Sequence, residues 1–446
     1  MNLRGAAFFA LLRLYGQALG SHYKRILRED QAGIPPDTTK ELLVQLLAHC
    51  QQSVPYYAEV MRELGDSFYE DPEGYLGRFP ILTKDTIRRR FDELKSSDLP
   101  RRRWYFNTSG GSTGEPVQFI QDWEYDDRAG AVKLLFSKLA GREIGECEVE
   151  LWGSERDILH VSEKWSTRFA NRLTNTTWLN AYRMTPERMR EYIAVLNAKR
   201  PKLIVVYVEA FYELAKFAER EGLEVVPQAA IMTTSGTLYP IIREKLEQVF
   251  QCRVFDRYGS REVGDVACER PGHEGLWVAP WGNYVEIVDS EGNRVPDGTD
   301  GEILVTSLTN FAMPLVRYKI GDRGVLSPVQ GHDRDSCGQV LETVLGRTCD
   351  IFKTKNGALV DPGYFMELLY FRDWVRKYQV VQKSHSCIVF RIVGSGSDHR
   401  QAELDEISAK TRLLMGDDCK VVFEFVDDIA PSGSGKYRYT ISEVQA

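Results

Sequence analysis

Apolar positions along the chain change their period, and each change marks an element. Leu43, Leu46, Leu47 and Cys50 share one helical face within residues 40–64, a run that Pro55 interrupts. Residues 79–95 begin FPILTKD, where Thr83 is placed to cap a helix running to about Leu94. The extended run Trp104-Tyr105-Phe106 leads into a loop, and Val117-Gln118-Phe119-Ile120 reads as the strand that leaves it. The next stretch alternates: helix 122–140 with Asp122 as cap, strand 147–152, helix 186–199, strand 202–207 (KLIVVY), helix 209–221 with Phe211, Leu214 and Phe217 inward, strand 228–233, helix 239–250 and strand 252–257. Nearly continuous apolar strands separated by helices with short connections imply a parallel sheet covered by helices.

After Gly275 the pattern becomes β-rich over 276–325. NYVEIVDSEGNRV reads as a hairpin with a Ser-Glu-Gly-Asn turn, and GEILVTSL as a further strand. Beyond Gly346, strands 379–382, 387–393 and 420–426 flank a helix at 401–414. The expectation is an α/β (α+β) chain. Residues 1–346 form a large N-terminal domain of parallel sheet covered by helices, with a β-rich subdomain at about 276–345. Residues 347–446 form a small C-terminal α/β domain, with the boundary near 346–350. At the N-terminus, MNLRGAAFFALLRLYGQALG is broken by Arg13 and falls short of the ~20 apolar residues that a span needs. It also lacks the long clean apolar stretch of a signal peptide. Ala7, Leu11, Leu14 and Ala18 recur at helical spacing, which predicts a helix packed on the body by that face; the alternative is peripheral membrane contact.

Charge narrows the partners. The 446 residues carry 57 Lys plus Arg against 64 Asp plus Glu, a net of −7, and 43 % are hydrophobic. This is a folded composition, and the acidic balance argues against a nucleic-acid binder. Arg88-Arg89-Arg90 and Arg101-Arg102-Arg103 read as solvated charge. The eight cysteines form no CxxC pair, which suits reduced thiols in a cytoplasmic protein. Cys268, His273 and Cys337 stand as buried thiols or, on irregular spacing, as metal ligands.

Residues 107–116 read Asn-Thr-Ser-Gly-Gly-Ser-Thr-Gly-Glu-Pro. Three glycines allow close backbone approach, successive N–H groups can form an anion-binding nest, and four hydroxyls add donors. A phosphate chain is the natural guest; a plain hairpin turn is the other reading. No Lys-Ser or Lys-Thr follows, so it is not a Walker loop. Gly110-Gly111-Ser112-Thr113-Gly114 fits the serine-hydrolase elbow, but a strand rather than a helix follows.

Further motifs extend this picture in a fixed order: Arg257-Tyr-Gly-Ser-Arg-Glu262, Arg317-Tyr-Lys-Ile-Gly-Asp322, Gly346-Arg-Thr-Cys-Asp350 and Pro431-Ser-Gly-Ser-Gly-Lys436. With the loop they resemble the adenylate-forming enzymes, in the branch of phenylacetate–CoA ligases and CapK-type proteins. The resemblance runs from about Pro55 to Lys436. It implies that Thr108, Ser109, Gly110, Gly111, Ser112, Thr113 and Gly114 hold phosphates, that Tyr258 stacks on adenine, and that Glu262 helps hold Mg²⁺. It implies that Asp322 binds the ribose hydroxyls, and that Ser235, Gly236, Asp256, Arg257, Gly259 and Arg347 lie beside the nucleotide. Cys349 and Asp350 correspond to the hinge, where the family usually has two adjacent acids, and Lys436 to the catalytic lysine. Trp277 and Asp335 stand where the CapK-like branch often has further Cys or His.

The residue types suit these roles. A tyrosine offers a π face to a base, an aspartate accepts from vicinal hydroxyls, and a glutamate is a hard magnesium ligand. A lysine supplies a mobile point charge between carboxylate and α-phosphate. Trp152 and Tyr207, at strand ends, are candidates for an acyl pocket or for core-edge residues. The implied activity is ATP-dependent activation of a carboxylic acid to an acyl-adenylate, with CoA as acceptor. The alternatives are an amine or hydroxyl acceptor, or a nucleotide-binding scaffold without catalysis. The implied cofactors are ATP, Mg²⁺ and CoA.

Overall fold

The computed structural model describes residues 2–444 apart from 66, 110–116, 153–164, 182–183, 329–337, 348–351, 358, 361–362, 371, 373, 395–399 and 431–437. The side chains of residues 67, 165–169, 347, 359, 367, 370 and 400 lie outside the description as well. The chain divides into two compact units: residues 1–238 with 244–344, and residues 345–446 with 239–243.

The larger unit opens with helices α1 (Leu3–Leu14), α2 (Leu19–Ala32), α3 (Thr38–Ser53) and α4 (Pro55–Leu64). Pro55 sits at the first turn of α4, where its missing N–H costs nothing. The segment after Phe79 gives two short helices, Lys84–Arg89 and Phe91–Leu94, rather than one; Thr83 caps the first by accepting from the Thr86 N–H at 3.1 Å. A hairpin of β1 (Trp104–Thr108) and β2 (Gln118–Asp122) follows, then α5 (Trp123–Leu139), which Asp122 caps by accepting from the Tyr125 N–H at 2.8 Å.

Five parallel strands come next: β3 (Glu148–Trp152), β4 (Thr176–Asn180), β5 (Leu203–Tyr207), β6 (Ala230–Thr234) and β7 (Arg253–Phe255), in the order β4-β3-β5-β6-β7. The intervening helices are α6 (Trp165–Thr174), α7 (Pro186–Lys199), α8 (Val208–Arg220) and α9 (Pro240–Phe250). Every residue of β5 is buried, because both sheet faces are covered. Leu203 and Val205 join Phe136, Leu135, Tyr23 and Phe9 in one core; Ile204 and Val206 alternate to the opposite face. The α6–β4 segment was not anticipated: its described side chains, from Ala170 on, are half-buried or exposed, so no apolar run marks it.

The β-rich region starts earlier than residue 276. The stretch read as one strand at 252–257 splits at Asp256: β7 closes the parallel sheet, and β8 (Arg257–Ser260) opens an antiparallel one. That sheet adds β9 (Gly264–Glu269), β10 (Leu276–Val278), β11 (Asn283–Val288), β12 (Asp300–Ser307), β13 (Tyr318–Leu326) and β14 (Val340–Arg347), in the order β11-β12-β13-β14-β10-β9-β8.

One buried charge holds this sheet against the N-terminal segment. Arg317, 3 % exposed, donates to Glu286 at 3.2 Å and to the carbonyls of Gly77 (3.0 Å), Phe79 (2.7 Å) and Gly292 (2.9 Å). It is no surface ion pair. Its backbone is left-handed at φ 50°, with the N–H donated to Thr306 Oγ1 at 3.0 Å. Arg317→Ala would leave Glu286 and three carbonyls without their donor in a dry core. The expected cost is about 3–5 kcal/mol, read by urea unfolding.

The smaller unit has a two-stranded ribbon, β15 (Phe352–Lys353) with β16 (Leu359–Val360), and helices α10 (Gly363–Tyr370) and α11 (Arg400–Met415). Its four-stranded sheet comprises β17 (Val375–Ser384), β18 (Cys387–Gly394), β19 (Lys420–Phe425) and β20 (Thr440–Ser442), in the order β19-β18-β17-β20. Gln382, fully buried, ties the ribbon to this sheet by accepting from Lys353 N at 2.9 Å and donating to Lys353 O at 2.6 Å.

At the N-terminus the packing differs from the expectation. The buried positions of α1 are Gly5 and Phe9, with Phe8 and Leu12 partly buried against the core. Ala7 and Leu14, two of the residues assigned to the packed face, are exposed. Gly5 has no side chain to hold the helix off, so α1 seats itself on that side.

Candidate active site

In the order β4-β3-β5 the connection leaving β3 goes one way and the strand after β4 returns on the other side, so the crevice at the carboxyl ends of β3 and β5 is a topological switch point, the usual ligand position in an open α/β sheet. Trp152 ends β3 and Tyr207 ends β5. Their rings lie 4.8 Å apart between centroids, and Trp178 of β4 meets Trp152 edge-on at 6.4 Å. Trp178 is an aromatic wall of this crevice that the sequence reading missed; its strand carried no apolar signal.

Around the end of β6 the chain is tightly drawn. Ser235 has φ 63°, and a Cβ at Gly236 would sit 2.4 Å from a Glu209 carboxylate oxygen, so a larger residue there would displace that carboxylate. Thr233 donates its hydroxyl to Asp256 at 2.8 Å, and Asp256 also accepts from the Arg257 N–H at 2.9 Å. Asp256 therefore fixes the turn between the two sheets. The Arg257 guanidinium is buried and donates to Asp265 at 3.1 Å, which engages it inside the fold.

The β8–β9 turn must pass close to itself. A Cβ at Gly259 would meet the Gly264 carbonyl at 2.5 Å, which gives the glycine after Tyr258 its physical reason. Tyr258 donates its hydroxyl to Asp322 at 2.8 Å. Tyr318 donates to Glu262 at 3.1 Å. The two carboxylates assigned to ribose and magnesium are thus each held by a phenol.

The hairpin carrying the Gly-rich loop is tied to this turn by Gln121, a buried residue of β2. Its carbonyl accepts from Asn107 at 2.8 Å and Tyr105 at 3.2 Å, and its amide donates to the Arg261 carbonyl at 3.0 Å. A polar residue at an inward strand position was the available signal. Thr108 donates its N–H to Asn107 Oδ1 at 2.8 Å; Ser109 closes the hairpin, accepting on its hydroxyl from Val117 N–H at 2.9 Å. Gly110, Gly111, Ser112, Thr113 and Gly114 lie outside the described residues, as do Cys349, Asp350, Lys436 and the Arg347 side chain.

Behind Gln121, Tyr105 donates to Asp126 at 2.7 Å. Burial pushes the Asp126 carboxyl up to about 6, opposed by that bond. Its native pKa exceeds the unfolded value, so the folded state holds the proton more firmly. Stability is expected to fall as pH rises from about 4 to 6 on account of this group, and Asp126→Asn to remove that slope in thermal melts.

Magnesium suits the residues present. Glu262 is almost buried; one oxygen accepts from Tyr318, and no donor among the described residues meets the other, which leaves a hard anionic oxygen for a cation. Among the described residues no three His, Cys, Asp or Glu gather, and burial holds the Cys268 thiol well above its ordinary pKa. The Arg270 guanidinium stacks 4.4 Å over Trp277, whose neighbour across the strands is Cys268. Cys337 and Asp335 lie outside the described residues.

Residues 352–443 match the family model of the CapK C-terminal domain. The Protein CapK of Staphylococcus aureus is 22 % identical over 430 residues, covering 95 % of this chain and 93 % of that protein. The phenylacetate–coenzyme A ligase of Thermus thermophilus is 22 % identical over 366 residues, 77 % of each chain. The solved 2-hydroxyisobutyryl-CoA ligase, in its postadenylation state with R3-HIB-AMP, shares the fold with a TM-score of 0.70 at 18 % identity, over 91 % of this chain and 89 % of that one. The chain is similar to CapK and to the phenylacetate–CoA ligases, and it shares the fold of an adenylate-forming CoA ligase. In this CapK-like chain the Tyr258–Asp322 and Tyr318–Glu262 pairs, the hairpin held by Gln121 and the Trp152–Tyr207 crevice all belong to the larger unit.

Proposed function

We propose that the protein activates a carboxylic acid with ATP. The substrate carboxylate oxygen attacks the α-phosphorus, the bond to the bridging oxygen breaks, and pyrophosphate leaves with that electron pair; the product is an acyl-adenylate. In the second step a CoA thiol attacks the acyl carbon, AMP departs and the thiol proton is released to solvent. The observation that carries this reading is the convergence of Tyr258, Asp322 and Glu262 beside the base of the Gly-rich hairpin.

Carboxylate and ATP repel each other, so the protein's task is to supply positive charge and to fix the line of attack. Tyr258 offers its ring to adenine, and Asp322 accepts from the ribose hydroxyls. Glu262 would hold magnesium, whose charge would offset that of the phosphates. Residues 108–114 cradle the leaving phosphates. Lys436, carried by residues 347–446 with Cys349–Asp350 as hinge, neutralises charge between the carboxylate and the α-phosphate. Trp152, Trp178 and Tyr207 line the acyl site, which suits an acid with an apolar or aromatic body. Free cysteines among the described residues and the use of ATP and CoA support a cytoplasmic reaction.

Support for the reading comes from the phenylacetate–coenzyme A ligases and the 2-hydroxyisobutyryl-CoA ligase among its relatives. A second reading has the same first step and an amine or hydroxyl acceptor. The match of residues 352–443 to the CapK C-terminal domain, a unit not specific to the CoA ligases, supports it. ATP–pyrophosphate exchange against a panel of carboxylic acids tests the first half-reaction, and acid-dependent exchange is expected. Product trapping with and without CoA separates the two acceptors. No exchange with any acid would reject both.

A further inference from the structure

Helix α1 is apolar on both sides, and the body of the protein covers only one. Asn2 fixes its start, accepting from the Gly5 N–H at 2.9 Å and donating to the Ile144 carbonyl at 3.0 Å. Phe9 stacks on Tyr23 with ring centroids 5.8 Å apart and lies against Gly20, where a Cβ would come within 3.0 Å of its ring. The inner face is therefore fastened, and the outer face has no room to roll inward.

That outer face is formed by Leu3, Ala7, Ala10 and Leu14. Steps of four, three and four residues put them on one side of a helix. Leu3 is 91 % and Leu14 85 % exposed, and Tyr15, at the helix end, is 66 % exposed. The two leucines, with Ala7 and Ala10 between them, make one exposed apolar strip along the helix. On the helix itself the charge is one-signed. α1 contains Arg4 and Arg13 and no acid, in a chain whose net charge is −7. The neighbouring α6 has no acid either, and it exposes Arg172. Among the described residues no carboxylate pairs with any of these three guanidiniums.

We infer that the outer face of α1 docks on an anionic phospholipid surface. Leucines on one face of a helix that carries arginines and no acid is the composition of a helix that lies among lipid headgroups. Like-signed arginines argue against a second copy as the occupant, since a two-fold contact through this face would bring them together. Among the described residues no helix is long and apolar enough to cross a membrane, so the contact is with the surface. The sequence pattern had assigned Ala7 and Leu14 to the packed side; their exposure is what frees this face for a partner. The inference is independent of the reaction proposed above.

Cosedimentation of the whole protein with phosphatidylcholine vesicles, with and without phosphatidylglycerol, tests it. Binding is expected only with the anionic lipid and is expected to fall with added salt. Leu3→Asp together with Leu14→Asp should weaken it by about tenfold or more. The melting temperature should not change, because neither side chain reaches the core. Arg4→Gln with Arg13→Gln should lower binding to anionic vesicles. Absence of binding, or equal binding by the Leu3/Leu14 variant, would overturn the inference. So would a dimer in light scattering that the same variant converts to monomer, for the occupant would then be a second copy.

Discussion

Lys436→Ala is expected to slow adenylate formation by about 10²–10³-fold, the scale of removing one preorganised charge from a transition state. Negative charge accumulates where carboxylate and α-phosphate meet, and little proton transfer is needed. A point charge at that spot acts on the barrier rather than on ground-state affinity. The signature is therefore a loss in kcat for acid-dependent pyrophosphate exchange with KM for ATP nearly unchanged. The second step, started from pre-formed acyl-adenylate and CoA, should be affected far less. Undiminished exchange would take Lys436 out of the mechanism.

Asp322→Ala is the second large effect. The carboxylate would accept from two vicinal hydroxyls, and hydrogen bonds to a charged group are worth about 1.5–3 kcal/mol, so ATP affinity should fall by about 10- to 100-fold. Asp322 also receives the Tyr258 hydroxyl. Its removal strands that phenol, and the ring that would carry adenine loses its anchor. Tyr258→Phe keeps the ring and removes only the anchor, and it should cost several-fold less than Asp322→Ala. Calorimetric titration with ATP measures both, with circular dichroism to confirm the fold. Wild-type affinity in the Asp322 variant would reject the ribose assignment.

The parallel sheet was legible because strands buried on both faces leave unbroken apolar runs such as Leu203–Tyr207, which the intervening amphipathic helices set apart. The carboxylates of the candidate site were legible because their motifs are short and local. What was hidden depended on packing between distant segments. Arg317 looks like any basic residue before a strand; only the carbonyls of Gly77, Phe79 and Gly292 make it a buried hub. Gln121 acquires meaning from Arg261, 140 residues away. In α1, apolar residues occupy nearly every position, so periodicity could not say which side is covered; Gly5 and Phe9 decided it. The split at Asp256 was missed because β7 and β8 are separated by a single residue.

The bond between Tyr318 and Glu262 is nested in chain order inside the bond from Tyr258 to Asp322. Each of two segments, about sixty residues apart, lends a phenol to the acid of the other. The arrangement is reciprocal, and evolution or engineering can exchange it only as a set. A graft of the 257–264 turn onto a related scaffold would arrive with its glutamate unheld unless the 318–322 strand travelled with it.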